Sequence, residues 1–317
     1  MDSFTGKLAV VTGGGSGMGR ELVRQLAAQG CSVAACDIDA DSVVDTAALA
    51  RAAADERVVV TSHACDVADE AQVLRFRDAL LEAQETDHVD LVFSNAGIGG
   101  GGSFVCDKRE DWERTFAIDF WGTYYCARAF LPLLIASGDG ILVNTSSVNG
   151  FWATLGPGMP NTAYSTAKFA IKGFTEALIE DLRTNAPQVT VAVVMPGHVG
   201  TDILRNSRRI LGYPGPEQMS EDELEEARPT LIRLGLPVQD ASLDELRDAV
   251  VKLENQFKDS APLSAAEAAT IILDGVRAGH WRILVGQDAL TVDRVVRAKP
   301  EAAYDYAALA EAAQEPQ

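Results

Sequence analysis

The sequence predicts an α/β protein in which one parallel sheet is covered on both faces by helices. Three observations carry that expectation. Short, continuously apolar runs recur along the chain, helix-compatible stretches separate them, and a glycine-rich turn joins the first run to the first helical stretch. Strands buried on both faces read as unbroken apolar runs, and right-handed crossovers then place the helices on either side. The expected architecture is a doubly wound sheet in a single domain, with a helical insertion near the C-terminal side.

Taken in order, Leu8-Ala9-Val10-Val11-Thr12 reads as the first strand, closed by Gly13-Gly14-Gly15-Ser16-Gly17-Met18-Gly19. A helical pattern through Leu22, Val23, Leu26 and Ala27 follows and stops at Gly30. Strands are expected at 32–36, 57–62 and 89–94, with helices at 41–54 and 70–85 between them. A long helix at 112–135, a strand at 140–145, a helix at 163–183 and a strand at 189–195 continue the rhythm. After Thr201 it breaks. Residues 203–262 hold no convincing strand, but contain Tyr213-Pro214-Gly215-Pro216 and two charged helical stretches, 221–234 and 243–258. A helix at 264–278, a strand at 281–285 and a helix at 291–297 complete the pattern. We therefore expect a catalytic domain over 1–300, with 203–262 as a helical substrate lid. An acidic, Ala-rich tail over 301–317 is expected to be loosely held.

Composition narrows the function. Apolar residues make up 47% and charged residues 23%, as in a globular enzyme with a large core. A formal charge of −19 argues against nucleic acid or an anionic membrane as partner, because both require a basic footprint. The five cysteines, Cys31, Cys36, Cys65, Cys106 and Cys126, are odd in number and lack metal-ligand spacing. Reduced thiols in a cytoplasmic protein, and no metal, are expected. No signal-like segment precedes the first strand, and no apolar run reaches membrane-span length.

The glycine turn lies in the first strand–helix unit, where it permits close approach of the backbone to a pyrophosphate at a helix N-terminus. Its spacing is T-G-x-x-x-G-x-G, with Met18 where a G-x-G-x-x-G count from Gly13 would place a glycine. Asp37 stands at the end of the second strand, 18 residues after Gly19. A carboxylate there accepts ribose hydroxyls and repels a 2′-phosphate, and no Lys or Arg lies between Gly13 and Gly19 to offset it. NAD is favoured over NADP. Further along, Tyr164 and Lys168 lie one helical turn apart on one face. A phenol with a pKa of about 10 needs about 4 kcal/mol of differential stabilisation to ionise near neutrality. The lysine supplies part of that, and a cationic cofactor more.

With these pieces in order, the chain resembles the short-chain dehydrogenase/reductase family, in the subgroup marked by T-G-x-x-x-G-x-G and Y-x-x-x-K. The resemblance covers residues 5–202 and implies a Rossmann-type fold. It places Gly13, Gly15, Ser16, Gly17, Met18 and Gly19 in the cofactor loop. Asp66 and Val67 fit the pair that touches adenine in the family. Asn95, Ala96 and Gly97 fit the motif ending the fourth strand, and Asn144-Thr145-Ser146-Ser147 the end of the fifth, with Ser147 as the catalytic serine. Tyr164 and Lys168 fit the catalytic pair and also touch cofactor. Pro196, Gly197, Val199 and Thr201 fit the loop that holds the nicotinamide carboxamide. Other readings accompany some of these. Asn95 equally suits a bond between strands, Asp66 a cap for the third helix, and Ser146 a structural role, while His198 is a loop residue that the motif does not need.

Two departures stand out. Asp119, in Ile118-Asp119-Phe120-Trp121-Gly122, occupies the position of a family asparagine that helps hold a proton path to the lysine. A carboxylate there adds charge beside Lys168. Ser147 and Tyr164 are 17 residues apart, longer than the family spacing of about a dozen, and Gly156-Pro157-Gly158-Met159-Pro160 fills the excess.

The resemblance implies NAD-dependent interconversion of a secondary alcohol and a ketone, with Tyr164 as general acid/base, Ser147 on the substrate oxygen and Lys168 on phenol and ribose. Phe151, Trp152, Leu155 and Met159, with Ile203, Leu204, Leu211, Tyr213 and Met219, are expected to line an apolar pocket for a hydrophobic or aromatic substrate, although such residues equally suit core packing. A homodimer or homotetramer built on 112–135 and 163–183 is expected. The alternatives are a catalytically silent NAD-sensing or scaffold protein of the same fold, an NADP-dependent carbonyl reductase if Asp37 turns away, and a sugar epimerase or dehydratase, which the glycine spacing fits poorly.

Overall fold

The structure, a computed structural model, describes residues 1–307. The chain runs β1 (Leu8–Thr12), α1 (Gly17–Ala28), β2 (Ser32–Asp37), α2 (Ala40–Ala53), β3 (Val60–Ala64), α3 (Glu70–Gln84) and β4 (Leu91–Ser94). It continues through α4 (Arg109–Phe116), α5 (Gly122–Ser137), β5 (Gly140–Thr145), α6 (Thr162–Asn185) and β6 (Val189–Pro196). Then come β7 (Val199–Gly200), α7 (Ile203–Ile210), α8 (Glu221–Arg233), α9 (Leu243–Asp259), β8 (Leu263–Ser264), α10 (Ala265–Arg277), β9 (Arg282–Val285) and α11 (Gln287–Ala298). Seven strands form one sheet in the order β3-β2-β1-β4-β5-β6-β9, every pair parallel. This is the Rossmann-type α/β sheet the sequence predicts.

Period-two alternation along each strand builds two cores. Ala9 and Val11, Val33 and Ala35, Leu91 and Phe93 face α1, α2 and α10, where Leu22, Leu26, Val43, Ile272 and Leu273 meet them. Val10, Ala34, Val92 and Leu142 face the other way, onto Val73, Phe76, Phe130 and Leu134 of α3 and α5. Chain direction away from the centre reverses between β1 and β4, so a crevice opens at their carboxyl ends.

Several boundaries differ from the sequence expectation. The third strand lies at 60–64 rather than 57–62, because Asp55 and Arg57 are taken up in a turn closed by Val58 N donating to Asp55 O. The expected helix at 112–135 is two helices, α4 and α5, joined by a π-helical turn over Ala117–Trp121. The last helix begins at Gln287, and α7 is an element the sequence reading missed. The cap over 203–262 carries a core of its own: Met219, Leu224, Leu231, Val238, Leu246 and Val250. Met219 is therefore core of the cap and not pocket wall.

The tail expectation needs correction where it can be seen. Trp152 Nε1 donates to Ala303 O (2.6 Å), Ala153 N to the Tyr304 hydroxyl (3.2 Å), and Thr154 Oγ1 pairs with the Tyr306 hydroxyl at 3.0 Å. Residues 303–306 are pinned across the 152–154 loop, and Ala303 is buried. The remainder of the expected tail, 308–317, lies outside the described residues. Among the described residues, no helix is long and apolar enough to cross a membrane.

Candidate active site and nucleotide cleft

The crevice at the sheet switch point is a cleft open to solvent. Its floor is the glycine turn. Gly13 has φ +65°, and a Cβ there would stand 2.8 Å from Ala96 Cα, so β1 and β4 approach as closely as they do only with glycine. A Cβ on Gly19 would collide with Gly13 O, which makes that position indispensable although it does not line the cleft itself. Ser16 is the N-cap residue of α1 but its side chain caps nothing, and the first turn carries no acidic residue. The first-turn amides are thus left for an anionic group, which suits a diphosphate.

Asp37 ends β2 and lines the cleft. Its carboxylate accepts from Gly15 N (2.9 Å) and Asp39 N (3.0 Å), which fixes its direction. It is not a helix cap. That task falls to Asp39, whose Oδ1 accepts from Ser42 N (3.1 Å) at the start of α2. Likewise Asp69 caps α3, while Asp66 accepts from Ala68 N (3.0 Å) and pairs with Arg114 (2.6 Å). Asp66 and Val67 line the cleft beside Cys65.

Asn95, Ala96 and Gly97 also line it. Thr12 Oγ1 accepts from the backbone of Asn95 (3.0 Å) and Ala96 (3.1 Å), and Asn95 Nδ2 donates to Thr12 O (3.2 Å). The strand-bonding reading of Asn95 is thereby realised, with its Oδ1 left unpartnered. Thr12 is the clasp the sequence reading passed over.

At the far end stand Ser147, Tyr164 and Lys168. Ser146 Oγ donates to Lys168 O (2.7 Å), which ties the end of β5 to α6 and gives Ser146 its structural role. Ser147 Oγ accepts from Asn149 N (3.1 Å), and Ser147 lies close enough to the Tyr164 phenol to favour its ionised form. Lys168 is buried, with Nζ 5.2 Å from the Tyr164 ring centre and donating to Thr145 O (3.2 Å). A Cβ on Gly97 would reach within 3.1 Å of Lys168 Nζ, so the group adjoins the cleft through a glycine.

Asp119 lies in the π-helical turn, fully buried. Such turns widen a helix locally and recur at functional sites. Its Oδ1 accepts from Ile98 N (2.8 Å), and its Oδ2, with no hydrogen-bond partner, is 3.8 Å from Lys168 Nζ. Burial pushes its carboxyl up to about 6, against the pull of Lys168. The Tyr164 phenol is raised above its ordinary value, chiefly by burial. Lys168 and Ser147 act to lower it, and Asp119 to raise it. The lysine therefore opposes the burial of the phenol without by itself bringing it below its usual value.

The nicotinamide-loop residues separate into two sets. Thr201 lines the cleft, against Gly17. Pro196, Gly197 and Val199 do not: Gly197 packs against the Asp288 carboxylate, and Val199 is buried and paired with Leu263. His198 turns away, its N donating to Asp288 (2.6 Å) and its ring bonded to Phe257 O (2.6 Å), in keeping with a loop role. From the cap, Ile203, one of the expected pocket residues, lines the cleft, and so do Asn206, Arg209 and Ile210 of α7, which were missed. The signal was there in Ile203 and Ile210, two helical turns apart.

The pocket residues disperse. Leu211 packs on the core and over Gly100, Leu155 is exposed, and the Tyr213 hydroxyl is bound to Asp111, which with burial pushes the phenol up to about 12. Phe151 and Trp152 stay near Ser147, held where Asn149 Nδ2 donates to Trp152 O (2.9 Å) and Thr154 O (2.8 Å).

Residues 7–211 match the short chain dehydrogenase family. The chain belongs to that family, and with it to the NAD(P)-dependent oxidoreductases. SadH of Mycobacterium tuberculosis is 35% identical over 297 residues, covering 94% of this chain and 92% of that protein. Levodione reductase of Leifsonia aquatica is 30% identical, covering 69% of this chain and 79% of that protein. A short-chain dehydrogenase/reductase from Burkholderia phymatum, solved with NAD, superposes with a TM-score of 0.74 at 29% identity, covering 95% of this chain and 96% of that one.

Proposed function

We propose that the protein interconverts a secondary alcohol and a ketone with NAD, using Tyr164 as general acid/base. The observation that carries the reading is the convergence of Ser147, Tyr164 and Lys168 behind Gly97, which lines the same cleft as Asp37. When bound, the nicotinamide supplies the hydride acceptor or donor and, oxidised, a positive charge. Tyr164 takes the hydroxyl proton in oxidation and returns it in reduction. Ser147, its oxygen already held by Asn149 N, orients the substrate oxygen. Lys168 counters the burial of the phenol and would hold the nicotinamide ribose. Asp119 serves the proton path by accepting from Ile98 N and facing Lys168 Nζ.

Asp37, fixed by two backbone donors, would accept the adenosine ribose hydroxyls, which favours NAD over NADP. Gly13, Gly15, Ser16, Gly17, Met18 and Gly19 form or support the diphosphate cradle, Asp66 and Val67 the adenine wall, and Asn95, Ala96, Gly97 and Thr201 the nicotinamide end. Pro196, Gly197 and Val199 shape that end from outside the lining. The aromatic side chains of Phe151 and Trp152, four and five residues after Ser147, lead us to favour a hydrophobic or aromatic substrate. Residues 1–300 would act as one catalytic domain under the 203–262 cap. A homodimer or homotetramer would bury Trp121 and Phe169, both 42% exposed on the π-helical turn and α6. A panel of secondary alcohols and ketones, followed by the absorbance of the reduced nicotinamide, tests the reading. Turnover of none of them, or turnover undiminished in Tyr164→Phe, would sink it.

A further inference from the structure

Arg209 is the one cationic side chain lining the nucleotide cleft among the described residues. It belongs to α7 of the cap, on the opposite wall from Asp37, and its Nη1 lies 3.0 Å from Asp39 Oδ2. Asp39 is two residues beyond Asp37 and lines the same end. A planar guanidinium is the side chain best suited to a phosphate dianion, because it donates two parallel hydrogen bonds and stays charged at all working pH. This chain thus carries at the adenosine end the very group that a 2′-phosphate requires, tied to a carboxylate.

We propose that Asp39 is a second determinant of cofactor choice, which excludes the 2′-phosphorylated nucleotide by holding the Arg209 guanidinium in an ion pair. The inference rests on the reading of this cleft as a nicotinamide-nucleotide site and adds to the role of Asp37. Direct repulsion by Asp37 and sequestration of Arg209 by Asp39 are separate barriers at the same end of the cleft.

Arg209 would stay in place once released. α7 is fixed over the cleft independently of the pair, by Asn206 Nδ2 donating to Ser16 Oγ (3.2 Å) and Gly99 N donating to Ser207 Oγ (2.8 Å). Other charged groups near this end are occupied elsewhere: Arg20 donates to Gly15 O (2.6 Å) and Thr46 Oγ1 (3.0 Å), away from the lining. The pair is also weak enough to exchange. Arg209 is 55% exposed, and exposed pairs are screened and contribute little, whereas a phosphate offers two charges to the same fork. Asp39 is held below the usual carboxylate range by the Ser42 amide and then by Arg209, so it stays ionised at neutral pH.

Asp39→Asn is the informative change, because asparagine keeps the α2 N-cap while removing the charge. NADH and NADPH binding would be titrated by nucleotide fluorescence in the wild type, Asp39→Asn, Arg209→Gln and the double variant. The same set would be repeated on an Asp37→Ser background, where direct repulsion is lifted. Asp39→Asn should tighten NADPH about two- to fivefold with NADH little changed, and Arg209→Gln should remove that gain. Raising the salt should shrink it. A gain that survives Arg209→Gln would mean plain repulsion by Asp39 and overturn sequestration. Unchanged NADPH affinity on both backgrounds, with NADH still bound, would overturn the inference alone. Failure of the wild type to bind either nucleotide would sink the cofactor reading and this inference together.

Discussion

The sheet and the cap place side chains at the same cleft by different means. Asp37, Ser94 and Thr145 are held by parallel main-chain register, Asp37 opposite Ala64, Ser94 opposite Asn144 and Thr145 opposite Val194, with Ser94 and Thr145 buried and Asp37 half-buried at the strand end. The cap has a six-residue core and is otherwise held by local and surface devices. Ser220 with Glu223, and Ser242 with Glu245, form capping boxes. Lys258 pairs with Asp202 (2.8 Å), and Arg205 and Arg208 face Glu254 (3.7 and 3.4 Å). Groups fixed by a sheet cannot be moved without unfolding it, whereas a cap so attached can be perturbed alone. The chemistry should accordingly fail sharply when the sheet side is altered, and gradually when the cap is.

The largest effect belongs to the sheet side. Tyr164→Phe removes the one hydroxyl placed to exchange a proton and should lower turnover by about 10²- to 10⁴-fold, while NADH still binds. Steady-state kinetics beside a nucleotide titration separates the two. Equal loss of both would mean that Tyr164 shapes the cleft instead of acting in it.

On the cap side, Leu246→Ala deletes a fully buried side chain from the small core and should cost about 2–5 kcal/mol. The loss should be confined to 211–259. Hydrogen exchange would then show faster opening of α8 and α9 with β1, β4 and β5 still protected. Uniform loss of protection would erase the distinction between the two regions.

Asp119 tests the boundary between fold and chemistry. Its carboxyl is raised from 3.8 to about 6, so the neutral form is favoured in the folded state. That relative stability is fully present below about 3.8 and is lost as pH rises through about 6. Asp119→Asn should therefore gain stability over the wild type between those limits, by at most about 3 kcal/mol. The melting-temperature difference read from about pH 4 to about pH 7 gives the sign. Because ionised Asp119 also raises the phenol, the same substitution should move the Tyr164 limb of the pH–rate profile to lower pH. A limb that does not move would leave Asp119 a role in packing alone.

The sequence was most informative where a residue type has one physical reason to be there. Gly13, with its positive φ and contact with Ala96, and Asp37, at a strand end after a glycine turn, could be read directly. So could the one-turn spacing of Tyr164 and Lys168. What escaped were side chains whose role depends on distant partners. Arg209 meets Asp39 only after the cap folds back across the chain, and nothing in an eight-residue, arginine-rich helix announces it. Met219 carried the same apolar signal as a pocket wall, and only the position of Leu246 and Val250 makes it core. The tail misled for the opposite reason. Its composition is that of a loose segment, yet Tyr304 and Tyr306 carry hydroxyls that the 153–154 backbone and side chain engage.

The smallest effect is expected at Glu254, where the cap's ion pairs are densest. Its carboxylate oxygens have no hydrogen-bond partner, although Arg208 and Arg205 lie within ion-pair reach. Burial raises its carboxyl above the ordinary value, and the two arginines only partly oppose that. The ionised form is thus disfavoured in the folded cap, and the contribution of Glu254 to stability fades as pH rises through its raised value. Glu254→Gln keeps the shape and removes the charge. The arginines, 50% and 30% exposed, can turn to solvent. The change should therefore alter stability by less than about 1 kcal/mol at neutral pH, and lean toward stabilising. Thermal melts across pH read it: wild type and variant should draw apart, in favour of the variant, as pH rises from below the usual glutamate range. A wild type that gains on the variant over that interval would mean that the arginine cluster anchors the cap, and that the cap is less separable from the sheet than its small core suggests.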